Sequence, residues 1–116
     1  MSSTAEVVST LLTLRAFIQP EASVVRCAGA LTMATSALLK TYVQGALPET
    51  KRIILDLTNL ARMDSAGLGA IVGLYISARH AGRTLEIINL SPGLRELFKL
   101  TNLLSIFEPC ACAPML

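Results

Sequence analysis

The chain has 116 residues, 53% of them hydrophobic and 16% charged, with a formal net charge of +2. That length suits one domain with a real core, and the scattered Lys and Arg, with no Trp among them, argue against a direct nucleic-acid-binding stripe. The most apolar stretch, residues 66–78, is too short to cross a bilayer and no basic-then-apolar leader opens the sequence, so a cytoplasmic protein without membrane insertion is expected.

Residues 1–9 are small, polar and weakly patterned, and a loosely ordered start is expected there. One domain over residues 10–108 and a flexible tail over 109–116 complete the predicted organisation. Leu11, Leu12, Leu14, Phe17 and Ile18 suggest a first strand, and Ser23 to Ala28 a second, joined through Gln19-Pro20-Glu21 and ended by Gly29. Ala34 to Gln44 has helical spacing at Ala37, Leu38 and either Thr41 or Tyr42, with Gly45 as a stop. Arg52 to Leu57 is nearly all apolar, the pattern of a strand covered on both faces.

A helix is predicted from Ser65 to about His80, with Asp64 as its N-cap and Gly82 as its C-terminal stop. Thr84 to Asn89 is a further strand. Ser91-Pro92 opens another helix, serine as N-cap and proline at the first helical position, with Leu94, Leu97, Phe98 and Leu100 as its inner stripe. Leu103 to Phe107 gives a last short apolar element. The predicted class is α/β: a mixed sheet of about four to five strands with helices packed on it, an opening hairpin followed by alternating helix and strand.

Chemistry-bearing patterns are few. Cys27 has the setting of a small core residue, and Cys110 with Cys112 forms a lone C-x-C beside a single histidine, His80, too little for a zinc site. The glycines after Ser65 lack the lysine of a phosphate-binding loop, and Ser65 lacks the flanking glycine of a nucleophile elbow. No catalytic residue, metal or cofactor is therefore assigned, and a non-enzymatic role is expected. Gly67, Gly69 and Gly73 each weaken a helix by roughly 1 kcal/mol relative to alanine. Their presence asks for close approach, either of the helix to the sheet or of a partner to the helix.

The segments Arg52-Ile-Ile-Leu-Asp-Leu57 and Met63-Asp-Ser-Ala-Gly-Leu-Gly69 carry a specific resemblance, joined by Ala81-Gly82, Leu85 to Leu90, Ser91-Pro92, Leu97 and Leu100-Thr-Asn-Leu103. With Val24 to Leu31 they make the chain similar to the STAS family of sulfate transporter and anti-sigma factor antagonist domains. The resemblance implies that Ser65 is phosphorylated by a partner anti-sigma factor that is also a serine kinase. The unphosphorylated form then binds that factor and frees a sigma factor, and a serine phosphatase resets the switch. Thr32, Asp64, Ser65, Ala66, Gly67, Leu68 and Gly69 are the implied partner-binding residues. Thr32 stands where the family often has an acid. The alternatives that the same fold implies are a STAS subunit of a membrane lipid-transport ABC complex and a component of a stress-signalling assembly.

Overall fold

The computed structural model describes residues 3–46 and 50–101. Strands β1 (Ser3–Val8), β2 (Leu12–Ile18) and β3 (Ala22–Leu31) are followed by α1 (Ser36–Ala46), β4 (Arg52–Met63), α2 (Ser65–His80), β5 (Thr84–Ile88) and α3 (Pro92–Leu100). The five strands make one mixed sheet whose spatial order is the chain order. β1, β2 and β3 pair antiparallel, while β3–β4 and β4–β5 are parallel. The predicted α/β class and the mixed sheet are present, and from β2 to α3 the elements follow the predicted order, with β1 added in front.

Alternation along the strands decides which face is covered. Leu12, Leu14 and Ala16 of β2, Val25 and Cys27 of β3, Ile53, Leu55 and Leu57 of β4, and Leu85 and Ile87 of β5 are all buried. The pairing aligns them, Leu14 with Cys27, Val25 with Leu55 and Leu55 with Ile87, so they form one sheet face. Leu39, Tyr42 and Val43 of α1, Leu68, Ile71, Leu74 and Ala78 of α2, and Leu94 and Phe98 of α3 join them in a single core.

The other face is laced with charge. Arg15 pairs with Glu6 at 2.8 Å, Arg52 with Glu86 at 2.7 Å and Arg26 with Asp56 at 3.6 Å. This corrects the expectation that β4 is covered on both faces: Ile54 looks out onto the charged side and is only half-buried there.

Other boundaries also shift. Ser3–Val8, expected to be loose, is β1; its register along β2 and the packing of Val7 on the core supply what its own sequence lacks. Gly29 does not end β3. It sits inside the strand at φ +111°, where the β3–β4 register slips, and a Cβ there would collide with the Leu11 carbonyl oxygen. β4 runs on past Leu57 to Met63 through the same irregularities. In α1 the buried stripe is Leu39, Tyr42 and Val43; Ala37 is exposed and Leu38 half-buried. Leu100 is 74% exposed and lies outside the inner stripe of α3. The predicted element at Leu103 to Phe107 and the tail with Cys110 and Cys112 lie outside the described residues.

Candidate functional site

The start of α2 is built from three segments that meet at one end of the sheet. β4 delivers Asp64 and Ser65 directly beyond Met63, which pairs with Leu31 at the end of β3. Asp64 is the N-cap, in extended conformation, and its Oδ1 accepts from the Gly67 N–H at 2.9 Å. Its Oδ2 accepts from the Met33 N–H at 3.0 Å, and its own N–H donates to the Leu31 carbonyl at 3.3 Å. One carboxylate thus ties the helix start to the β3–α1 turn. The hydrogen bonds from Gly67 and Met33 hold the Asp64 carboxyl below the usual aspartate range.

Ser65 occupies the first helical position and is exposed. Asp64 is exposed beside it, Ala66 is half-buried and Gly69 is exposed one turn on. Gly67 and Leu68 are buried, Leu68 at 5% exposure, and they seat the helix on the sheet. A Cβ on Gly67 would run into the Leu31 carbonyl, with the carbonyl carbon at 2.8 Å, so this glycine marks the closest approach of α2 to β3. Gly69 and Gly73 meet nothing within 4 Å. Close packing within the chain explains the first glycine and not the other two.

Thr32 is half-buried, and its groups are engaged locally. Its N–H donates to Thr35 Oγ1 at 2.9 Å and its Oγ1 accepts from the Ala34 N–H at 3.3 Å. Thr35 Oγ1 in turn donates to the Ala30 carbonyl at 2.8 Å, which closes the turn. Thr32 therefore shapes the loop that presents Met33, and Met33 is 80% exposed. Sequence reasoning missed Met33, whose link to Asp64 spans 31 positions and has no local signal.

A second polar cluster lies on the open face. Asp56 is 8% exposed and accepts from Thr58 N–H at 3.0 Å, Thr58 Oγ1 at 2.6 Å and Asn89 Nδ2 at 3.1 Å. Asn89 takes φ +62° to reach it. Burial pushes the Asp56 carboxyl up, but the Thr58 and Asn89 hydrogen bonds and the Arg26 charge outweigh that and hold it below its usual range. A hollow of about 200 Å³ beside it is lined by Arg26, Cys27, Asp56, Thr58 and Asn59. The carboxylate is satisfied by the protein itself, and the Cys27 thiol is pushed up to about 12 by burial, so the cluster has the character of a structural lock on the β3–β4 irregularity.

Comparison with known proteins agrees with this geometry. The STAS domain family profile matches residues 13–113. An anti-sigma F factor antagonist of Paenibacillus polymyxa is 31% identical over 85 residues, 72% of this chain and 73% of that one. An anti-sigma-B factor antagonist of Listeria monocytogenes is 43% identical over 54 residues, 47% of each chain. The crystal structure of an anti-sigma factor antagonist from Mycobacterium paratuberculosis superposes with a TM-score of 0.72 at 18% identity, covering 90% of both chains, which is a likeness of fold. No helix among the described residues is long and apolar enough to cross a membrane. The chain belongs to the STAS domain family.

Proposed function

We propose that this chain is an anti-sigma factor antagonist: it binds an anti-sigma factor that is also a serine kinase, releases a sigma factor, and lets go once Ser65 is phosphorylated. A serine phosphatase restores the binding form. The observation that carries this reading is the exposed Ser65 at the first position of a capped helix. The names of the similar antagonists support the same role. No observation favours the transport-complex alternative.

The physics of the switch follows from that position. A phosphate adds nearly two negative charges at neutral pH. The positive end of the α2 dipole tolerates them within the fold, whereas a partner pressed against Ser65 would have to desolvate them. Asp64 stands next to the modified residue, so the local negative charge becomes large without any buried contact being broken. Gly69 and Gly73 leave the outer face of α2 low, which suits a partner lying close along it.

The test is intact-mass measurement after incubation with ATP and each anti-sigma factor kinase of the source organism. One phosphate is expected on the wild type and none on Ser65→Ala. A phosphate that persists on the alanine variant would sink the assignment. Ser65→Asp is expected to abolish binding and leave the melting curve in place.

A further inference from the structure

We propose that the surface meeting the anti-sigma factor does not stop at α2 but continues across Met33 to the β1–β2 turn, where Leu11 and Val8 supply its apolar anchor. This rests on the reading of Ser65 given above and names the part of the partner surface that carries affinity.

Three of the large hydrophobic side chains left in water belong to this one end of the sheet: Val8 at 70% exposure, Leu11 at 52% and Met33 at 80%. Hydrogen bonds tie the turns that carry Leu11 and Met33 to Asp64, the residue before Ser65. The Leu11 carbonyl accepts from the Ala30 N–H at 2.9 Å, the Leu31 carbonyl accepts from the Asp64 N–H at 3.3 Å, and Asp64 Oδ2 accepts from the Met33 N–H at 3.0 Å. The three turns are therefore fixed relative to one another.

The β1–β2 turn is also braced from within. Ser9 Oγ accepts from the Leu12 N–H at 3.0 Å and donates to the Leu12 carbonyl at 2.8 Å, so Leu11 is held outward on a fixed backbone. A turn whose backbone is fixed before binding loses little backbone freedom when a partner covers it. The chain is free of charge from Val7 to Leu14 and from Cys27 to Leu39; the charges at this end are Asp64 beside Ser65 and the exposed Arg62 near the end of β4, which pairs with Ala30. The rest of the outer sheet face is crossed by ion pairs. A partner that docks against Ser65 meets an uncharged, apolar shoulder in this direction and a solvated one in the other. The occupant is thus the anti-sigma factor itself, presenting an apolar patch beside the site that receives Ser65. The serine decides whether the complex forms, and the shoulder sets how tightly.

The experiment measures affinity for each purified anti-sigma factor of the source organism, by calorimetry or surface binding, with Leu11→Gln, Met33→Gln and their combination. Leu100→Gln on α3, 74% exposed, is the control. Leu11→Gln and Met33→Gln are each expected to weaken binding by about tenfold, and Leu100→Gln by less than about twofold, with all melting curves unchanged. If both variants bind like wild type while Ser65→Asp abolishes binding, the shoulder is refuted and the Ser65 reading stands. If the wild type binds no anti-sigma factor, both are refuted. If the variants instead convert a dimer to a monomer in sedimentation, the occupant is a second copy of this chain and the proposal is overturned.

Discussion

The same substitution, glycine to alanine, is expected to act in opposite directions at positions two and six residues apart on α2. At Gly67 the added methyl has no room: it meets the Leu31 carbonyl, with the carbonyl carbon at 2.8 Å and the Leu31 Cγ at 3.0 Å. The first of these neighbours is backbone and cannot rotate away, so α2 must lift off β3. Overpacking of that kind costs roughly 1–3 kcal/mol, against which alanine's helix preference returns at most about 1 kcal/mol. Gly67→Ala is expected to lose about 1 kcal/mol net, and up to about 2. Gly69→Ala and Gly73→Ala meet nothing within 4 Å and should each gain up to about 1 kcal/mol. Urea unfolding followed by circular dichroism measures all three, with the slope of each transition checking that a shifted midpoint is a change in stability. A Gly67→Ala variant as stable as wild type, or destabilised Gly69→Ala and Gly73→Ala variants, would refute the account of which glycine packs. A stabilised Gly69→Ala that binds the anti-sigma factor more weakly would identify that glycine as kept for the partner.

Asp56→Ala removes the acceptor for Thr58 and Asn89 and is expected to cost about 1–3 kcal/mol by chemical denaturation, with Asn89 losing its reason for a positive φ. Asp64→Asn removes a carboxylate whose folded-state pKa lies below its unfolded value. Its contribution is thus present above the ordinary aspartate range and lost as the pH falls through the depressed folded value, so the variant should show a weaker acid dependence of melting than wild type on that interval. Cys27, buried with its thiol raised to about 12, is expected to resist thiol reagents at pH 8 until the protein unfolds, measured in a Cys110→Ser/Cys112→Ser background; rapid labelling of the folded protein would contradict its burial.

The parts of this fold that local pattern could reveal are those in which local chemistry and tertiary context agree. Asp64 caps α2, Ser91 caps α3 by accepting from the Leu94 N–H at 3.3 Å, and Gly82 leaves α2 at φ +74°. Context overrides pattern elsewhere. β1 is a strand because β2 offers it an edge, and β4 extends beyond Asp56 because Thr58 and Asn89 satisfy a carboxylate that otherwise signals a break. At the site, Ser65 stands out by its motif, but the distinction between Gly67 and Gly69 depends on a carbonyl 36 positions away from Gly67. The same limit hides Leu11 and Met33: an exposed leucine and a core leucine look alike until the neighbouring turn is in place.

The agreement between strand order and chain order bears on how the switch comes into being. Every ladder joins strands consecutive in sequence, so each pairing can form as soon as its second strand exists, without waiting for the far end of the chain. The opening three strands can zip while the remainder is still being synthesised. Helix α2, however, lies in the crossover between β4 and β5 and touches both β5 and α1. Its N-terminal turn rests on β3, β4 and the β3–α1 turn, all made before it, whereas the helix as a whole gains its β5 neighbour only later. A chain made as far as α2 therefore already has every group that caps the serine's helix, so the switch site can take shape before the sheet is complete.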